Sequence, residues 1–182
     1  DRLHHDLAYS AAEQRVFVHA REATSPAAGS PIARGLTWTI RLDRDEGLMP
    51  VAGLGALRSV LVDRRGERVF VVDHRDSVLR RDAHDFAADP AWFESVDSIA
   101  ILGVQRLLAV DHGVVLALAD AGTLVGFDED TGRVLARNDL VAAGDWRLPD
   151  RVTVIAAAPD GSRVAYESSH GIVEIVAVRL VR

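Results

Sequence analysis

Apolar residues fall in short runs, separated by clusters of Asp, Gly, Pro and Ser, and helical i, i+3, i+4 spacing is weak along the whole chain. The clearest stretch is residues 106–137. There RLLAV, VVLALA, TLVGFD and RVLAR are separated by DHG, DAG and EDTG. This pattern predicts four short strands joined by tight turns, with Gly113, Gly122 and Gly132 where positive φ is needed. Four such strands in sequence form one up-and-down antiparallel sheet.

The same grammar recurs. Residues 57–82 contain LRSVLVD, RVFVVD and VLRRD; residues 152–178 contain VTVIAAA, SRVAYES and IVEIVAV; residues 6–42 contain DLAYSA, RVFVHA and LTWTIRL. Aligning the second strands at Arg15, Arg68, Gly113 and Arg163 gives steps of 53, 45 and 50 residues. A period of that size marks a repeat architecture of four-stranded sheets. The approximate repeats are 6–55, 56–103, 104–141 and 150–182, within one continuous segment 1–182. Residues 20–35, 84–97 and 142–150 are read as the long loops, with one helical turn expected after Pro90. One such sheet cannot bury both faces, so the repeats must pack against one another.

Residues 152–178 resemble a bacterial WD40 repeat: a strand, a Pro159-Asp160-Gly161 turn, a strand ending in small polar residues, a His170-Gly171 turn and a V-x-I-V strand. GTLVGFDEDTGRVLAR (122–137) is similar to quinoprotein-type propeller repeats, with a D-x-x-T-G turn. The resemblance implies an all-β fold, a β-propeller built of four-stranded antiparallel blades. No repeat has the Gly-His pair or ends in Trp-Asp, so the WD40 hydrogen-bond network is not carried over. Four repeats are fewer than such rings commonly hold. The expectation is therefore a partial, C-terminal portion of a larger propeller. A self-contained four-bladed ring and a ring completed by two copies are the alternatives.

Composition narrows the function classes. The net charge is −6, and all 21 basic residues are Arg, a bias typical of GC-rich bacterial genomes. An acidic balance argues against a nucleic-acid surface. The absence of Cys removes disulfides, thiol nucleophiles and Cys-based metal or iron–sulfur sites. No apolar run approaches the roughly 18 residues of a spanning helix. The opening DRLHHD has no leader pattern, so the expected location is cytoplasmic.

Catalytic signatures are missing: no P-loop, G-x-S-x-G or H-E-x-x-H occurs, and Gly53-Leu54-Gly55 lacks its third Gly. The seven His include turn residues His74, His112 and His170, on different repeats, and no metal site is expected from them. Asp43–Gly47 and Asp128–Gly132 share D-x-D-x-G, half of a calcium loop, and are read as Asx turns that cap backbone amides. Arg64, Arg65, Arg68, Arg75, Arg80 and Arg81 crowd one repeat, mixed with Asp63, Glu67, Asp73, Asp76 and Asp82. They read as a mixed-charge face or as a reader of acidic motifs. Trp38 is expected to pack between repeats. Trp92-Phe93 and Trp146-Arg147 lie in predicted loops and have the composition of interaction hot spots, or fold back over a sheet edge.

The expected function is a non-catalytic scaffold that binds a protein or peptide, without cofactor, as the sensing or docking part of a larger bacterial protein. The candidate contacts are Trp146, Arg147, Trp92, Phe93, Arg80 and Arg81. The partner could equally be the rest of its own propeller or a second copy. The alternative is a propeller hydrolase or lyase that uses carboxylates such as Asp63 and Asp111 with a metal.

Overall fold

The computed structural model describes residues 3–22, 35–45, 47, 49–51, 57–73, 77–89, 92, 103–119, 123–139, 153–158, 161–167 and 173–178. The chain divides into two compact units, Asp1–Pro90 and Ala91–Arg182. Each contains two antiparallel sheets made of consecutive strands.

In the first unit, sheet 1 holds β1 (Leu3–Ser10), β2 (Arg15–Glu22), β3 (Gly35–Arg41) and β4 (Met49–Pro50), in that spatial order. Sheet 2 holds β5 (Leu57–Val62), β6 (Arg68–Asp73) and β7 (Val78–Asp82). The second unit repeats the plan. Sheet 3 holds β8 (Val104–Asp111), β9 (Val114–Ala119), β10 (Thr123–Asp128) and β11 (Val134–Asp139). Sheet 4 holds β12 (Thr153–Ala157), β13 (Arg163–Glu167) and β14 (Val173–Ala177). The second strands begin at Arg15, Arg68, Val114 and Arg163, at the anchors expected from the repeat.

Pairing register decides which residues face inward. Ala8 opposes Phe17, which opposes Thr39, so these share one face of sheet 1. That face meets Leu57, Val60, Val69 and Val71 of sheet 2, with Ala83, Leu79 and Phe86 completing the cluster. The other face of sheet 1 carries Leu7, Tyr9, Val16, Val18, Trp38 and Ile40. Leu7 is 71% exposed and Tyr9 47%. Trp38 is half-buried on this same face. Thr37 and Thr39 occupy the buried inward positions, and a period of two puts Trp38 on the opposite face.

Sheets 3 and 4 pack by the same logic. Ala109, Leu116, Leu118 and Leu124 meet Val164, with Ala157, Val176 and Val178 packed around them. The far face of sheet 4 carries Val173, 58% exposed, and Ile175, 70% exposed. The middle strands behave differently from the outer ones. All six residues of β9 are buried, as are Val69 to Val72 of β6. A continuous apolar run in place of alternation is the mark of a strand covered on both faces. The first strands of sheets 2 and 4 each carry one register shift, near residues 57–59 and 154–156, and that of sheet 3 carries two, near 104–106 and 107–109. Such bulges increase local twist.

The turns use Asp and positive φ as the sequence predicts. His112 (φ 51) and Gly113 (φ 77) form a two-residue hairpin of the I′ kind, with both central residues left-handed. Asp128 Oδ1 accepts from the backbone N–H of Asp130 (3.1 Å) and Thr131 (2.7 Å) and from the Thr131 hydroxyl, with Gly132 at φ 70. Asp63 Oδ1 accepts from the N–H of Glu67 (2.8 Å) and Arg68 (3.1 Å).

The β5–β6 turn also joins the two sheets of the first unit. Ser10, fully buried, donates its hydroxyl to the Gly66 carbonyl. A Cβ on Gly66 would stand 2.8 Å from Ala12 N and 2.8 Å from Ser10 Oγ, and Gly66 has φ +76. Gly161 occupies the corresponding turn of sheet 4 at φ +65, but a Cβ there would meet only Ala109 Cβ at 3.7 Å. Left-handed φ alone costs a non-glycine residue about 1–2 kcal/mol. Gly161→Ala should lose about that much. Gly66→Ala should lose roughly 3 kcal/mol or more, because backbone must also move. Urea unfolding of both variants checks this, and equal losses would mean that the Gly66 contact contributes nothing.

Candidate functional site

Strand β7 reads VLRRD, with only Val78 fully buried, and it is the edge strand of sheet 2. Beyond Asp82 the chain reverses through His84–Phe86. Asp82 Oδ1 caps this reversal, accepting from His84 N at 2.7 Å. The chain then runs back beside β7, where Ala88 bridges to Arg81, Asp82 N–H donates to the Ala87 carbonyl (3.1 Å) and Asp89 N–H to the Arg80 carbonyl (3.1 Å). A minimal extra strand thus covers this edge, which blunts a template for unwanted pairing.

The folded-back segment and β7 enclose a cleft of about 320 Å³, lined by Arg68, Arg80, Arg81, Asp82, Ala87, Ala88 and Asp89. Arg80 donates from both Nε and Nη2 to Asp89 Oδ2, with Nε at 3.2 Å. Arg68 and Asp82 are directly opposed across the β6–β7 pair. Arg81 donates from Nη1 to the Phe86 carbonyl (2.8 Å), while its buried Nε has no acceptor among the described residues.

The reversal behind the cleft is clamped to sheet 1. Arg15 Nη1 donates to the carbonyls of Ala83 and His84, both at 3.0 Å, and its guanidinium lies 5.5 Å from the Phe86 ring centroid. Phe86 has φ 62 and meets Phe17 edge-on at 5.2 Å. His84 Nδ1 lies 3.1 Å from Glu13 Oε2. An aromatic residue in the left-handed region is strained and needs surrounding contacts to hold it. Phe86 gains three here: the Phe17 ring, the Arg15 cation and the hydrogen bond that Arg81 donates to its carbonyl.

Of the six candidate contacts, Arg80 and Arg81 come together in this cleft. Trp92 does not present its side chain to solvent: it is 1% exposed and donates its indole N–H to the Glu129 carbonyl (3.0 Å) in the second unit. Its backbone is helical, at the place expected for a turn after Pro90. Phe93, Trp146 and Arg147 lie outside the described residues, as do His74, His170, loop 142–150 and most of 20–35. Asp89, Arg15 and Phe86 were not singled out from sequence. Asp89 sits before Pro90 without a motif, and Arg15 lies 68 residues from its partner Ala83.

The carboxylates considered for catalysis or metal binding have local duties. Asp63 caps its own turn, and Asp111 Oδ1 accepts from His112 N–H (2.9 Å). Asp43 departs from the expected Asx cap: Arg41 donates to both of its oxygens, Nε at 2.9 Å and Nη2 at 2.7 Å. Gly47 is not left-handed. Among the described residues no three His, Asp or Glu side chains converge as metal ligands would.

No protein-family model matches this chain, and no curated protein matches it either. Among solved structures it is similar to BamB from Moraxella catarrhalis, at TM-score 0.52 and 14% identity, over 96% of this chain and 45% of that one. It is also similar to a chain of the mitotic checkpoint complex, at TM-score 0.55 and 14% identity, over 94% of this chain and 46% of that one. The chain thus spans about half the length of these structures. Together with the repeated antiparallel sheets, this establishes the fold as a β-propeller, each sheet being one blade.

Hydrogen bonding from Arg41 holds the Asp43 carboxyl below the ordinary carboxylate range. The interaction is present above the ordinary carboxylate pKa and is lost as pH falls through the lowered one. Arg41→Gln should therefore raise the Asp43 titration midpoint, as followed by carboxyl-carbon NMR. An unchanged midpoint would show that the pair does not persist in solution. Trp92 is placed as a core residue, so Trp92→Ala should cost about 3–5 kcal/mol and Trp92→Phe about 1 kcal/mol. Denaturant melts of the two variants check both figures.

Proposed function

We propose that this chain is a non-catalytic propeller scaffold that docks a protein or peptide partner, as part of a larger bacterial multidomain protein. The observation that carries the reading is the arginine-lined cleft at the edge of the second blade. It is concave, it gathers three guanidinium groups, and two packed sheets hold its walls in place. Binding sites on rigid scaffolds commonly sit on such connecting segments. The enzyme reading has less support. Asp63 and Asp111 spend hydrogen-bonding capacity on adjacent backbone amides in their own turns.

The open apolar faces of the first and last blades bear on partners too. Leu7 and Tyr9 on one, and Val173 and Ile175 on the other, are exposed. A propeller about twice this length would cover both faces, which favours further blades of the same propeller as the occupants.

Two measurements test these readings. Peptide display against the folded chain should enrich sequences whose binding weakens at least tenfold in the Arg80→Ala and Arg81→Ala variants. Failure to enrich any sequence, with metal-dependent turnover of a hydrolase or lyase substrate panel, would favour the enzyme instead. Light scattering of the isolated 182-residue chain should give a mass above the 19.7 kDa of one copy, because exposed blade faces associate. A stable, soluble monomer would show that the faces need no cover, and a discrete dimer would make a second copy the occupant.

A further inference from the structure

We propose that the cleft beside β7 is a carboxylate-binding site, and that it recognises an acidic side chain or the C-terminus of a peptide through Arg81. This rests on the docking function proposed above and names the chemistry of its contact.

Arg81 is the argument's centre. A guanidinium carries five N–H donors in a planar fork. Among the described residues one of those five is engaged, on the Phe86 carbonyl. Its Nε is buried without an acceptor among the described residues. A buried unpaired donor is costly, and such groups are rare in folded proteins without a functional or solvent partner. Arg15 Nε also has no acceptor among the described residues, but Arg15 is held by two carbonyls and the Phe86 ring and does not line the cleft.

Charge selects among anions. The lining holds three Arg and two Asp, a formal sum of +1. Asp89 is committed to Arg80. A monoanion balances such a site, whereas a phosphate dianion would leave it with a net charge of −1. A carboxylate also matches the guanidinium fork in shape, with two parallel N–H···O bonds. The small side chains of Ala87 and Ala88 leave room for the stem that carries it. The anchoring of Arg81 at Nη1 and the clamp behind Phe86 preorganise the fork, so little side-chain freedom is lost on binding.

The test follows the Arg81 side-chain Nε–H signal by NMR. Three probes are titrated at low salt: acetyl-Gly-Glu-Gly-amide, with only a side-chain carboxylate; acetyl-triglycine, with only a C-terminal one; and inorganic phosphate. The expected result is a saturable shift with at least one peptide, weaker with phosphate, and at least tenfold weaker binding in Arg81→Lys, which keeps the charge but loses the fork. The peptide that binds tighter identifies the carboxylate's source. Asp82→Asn keeps an acceptor for its turn and raises the cleft's charge to +2. It should tighten peptide binding severalfold, and it serves as the check if Arg81→Lys does not fold. No shift with either peptide, tighter binding of phosphate, or undiminished binding in Arg81→Lys would each overturn the inference. Display-selected peptides that bind independently of Arg81 would also overturn it while leaving the docking function in place. A failure to select any peptide would instead remove the docking function.

Discussion

A sheet whose central strand is apolar at every position has two faces to hide. VVLALA in β9 and the Val69–Val72 core of β6 offer no polar face to water, so each sheet has to lie against another. The hydrophobic term rewards that contact over its whole area, and it is the reason a chain without disulfides can hold together. In both units the solution is the same: two antiparallel sheets meet through Val, Leu, Ala and Phe side chains placed by the period of two.

Stacking sheets brings their turns together, and there packing becomes specific. At Gly66 the β5–β6 turn approaches the β1–β2 hairpin too closely for any side chain, and the Ser10 hydroxyl seals the contact. On the same side, Arg15 reaches from β2 to the reversal after β7 and holds Phe86 in a conformation it would not take alone. The cleft beside β7 is a by-product of that clamp. Once the reversal is fixed, Ala87 to Asp89 must run back along β7, and the guanidinium groups of Arg68, Arg80 and Arg81 are gathered around a concave edge. Stability of the interface and shape of the site therefore share the same residues.

Much of this architecture was legible from the chain alone. Strand positions, repeat spacing and the Asp-led turns follow from local rules: alternating polarity, Gly at positive φ, Asp accepting from nearby backbone amides. All of these act within about six residues. The turn at Asp128 and the hairpin at His112-Gly113 are examples. Arg80 and Arg81 could be suspected because the surrounding segment is dense in Arg. Which of those arginines would be neutralised, and by what, was not legible. Asp89 pairs with Arg80 only because the chain folds back on itself, and neither residue signals this in sequence.

Short antiparallel sheets in repeats were readable from the chain, because sheet formation depends on the local period of apolar residues and on turn chemistry. The propeller arrangement came from the resemblance of residues 122–137 and 152–178 to known repeats. The sequence by itself also determined that the chemistry on offer is guanidinium and carboxylate, there being no Cys and no Lys. Tertiary structure alone decided that Trp38 lies on an open face and that Trp92 is buried with its indole on a carbonyl. It alone decided that Asp43 is held by Arg41 in place of its own turn, and that Arg81 lines a cleft with a donor that has no acceptor among the described residues. The physical reason is common to all four. Register, sheet-on-sheet packing and chain reversal set the direction of a side chain, and each of these depends on partners that composition and spacing do not name.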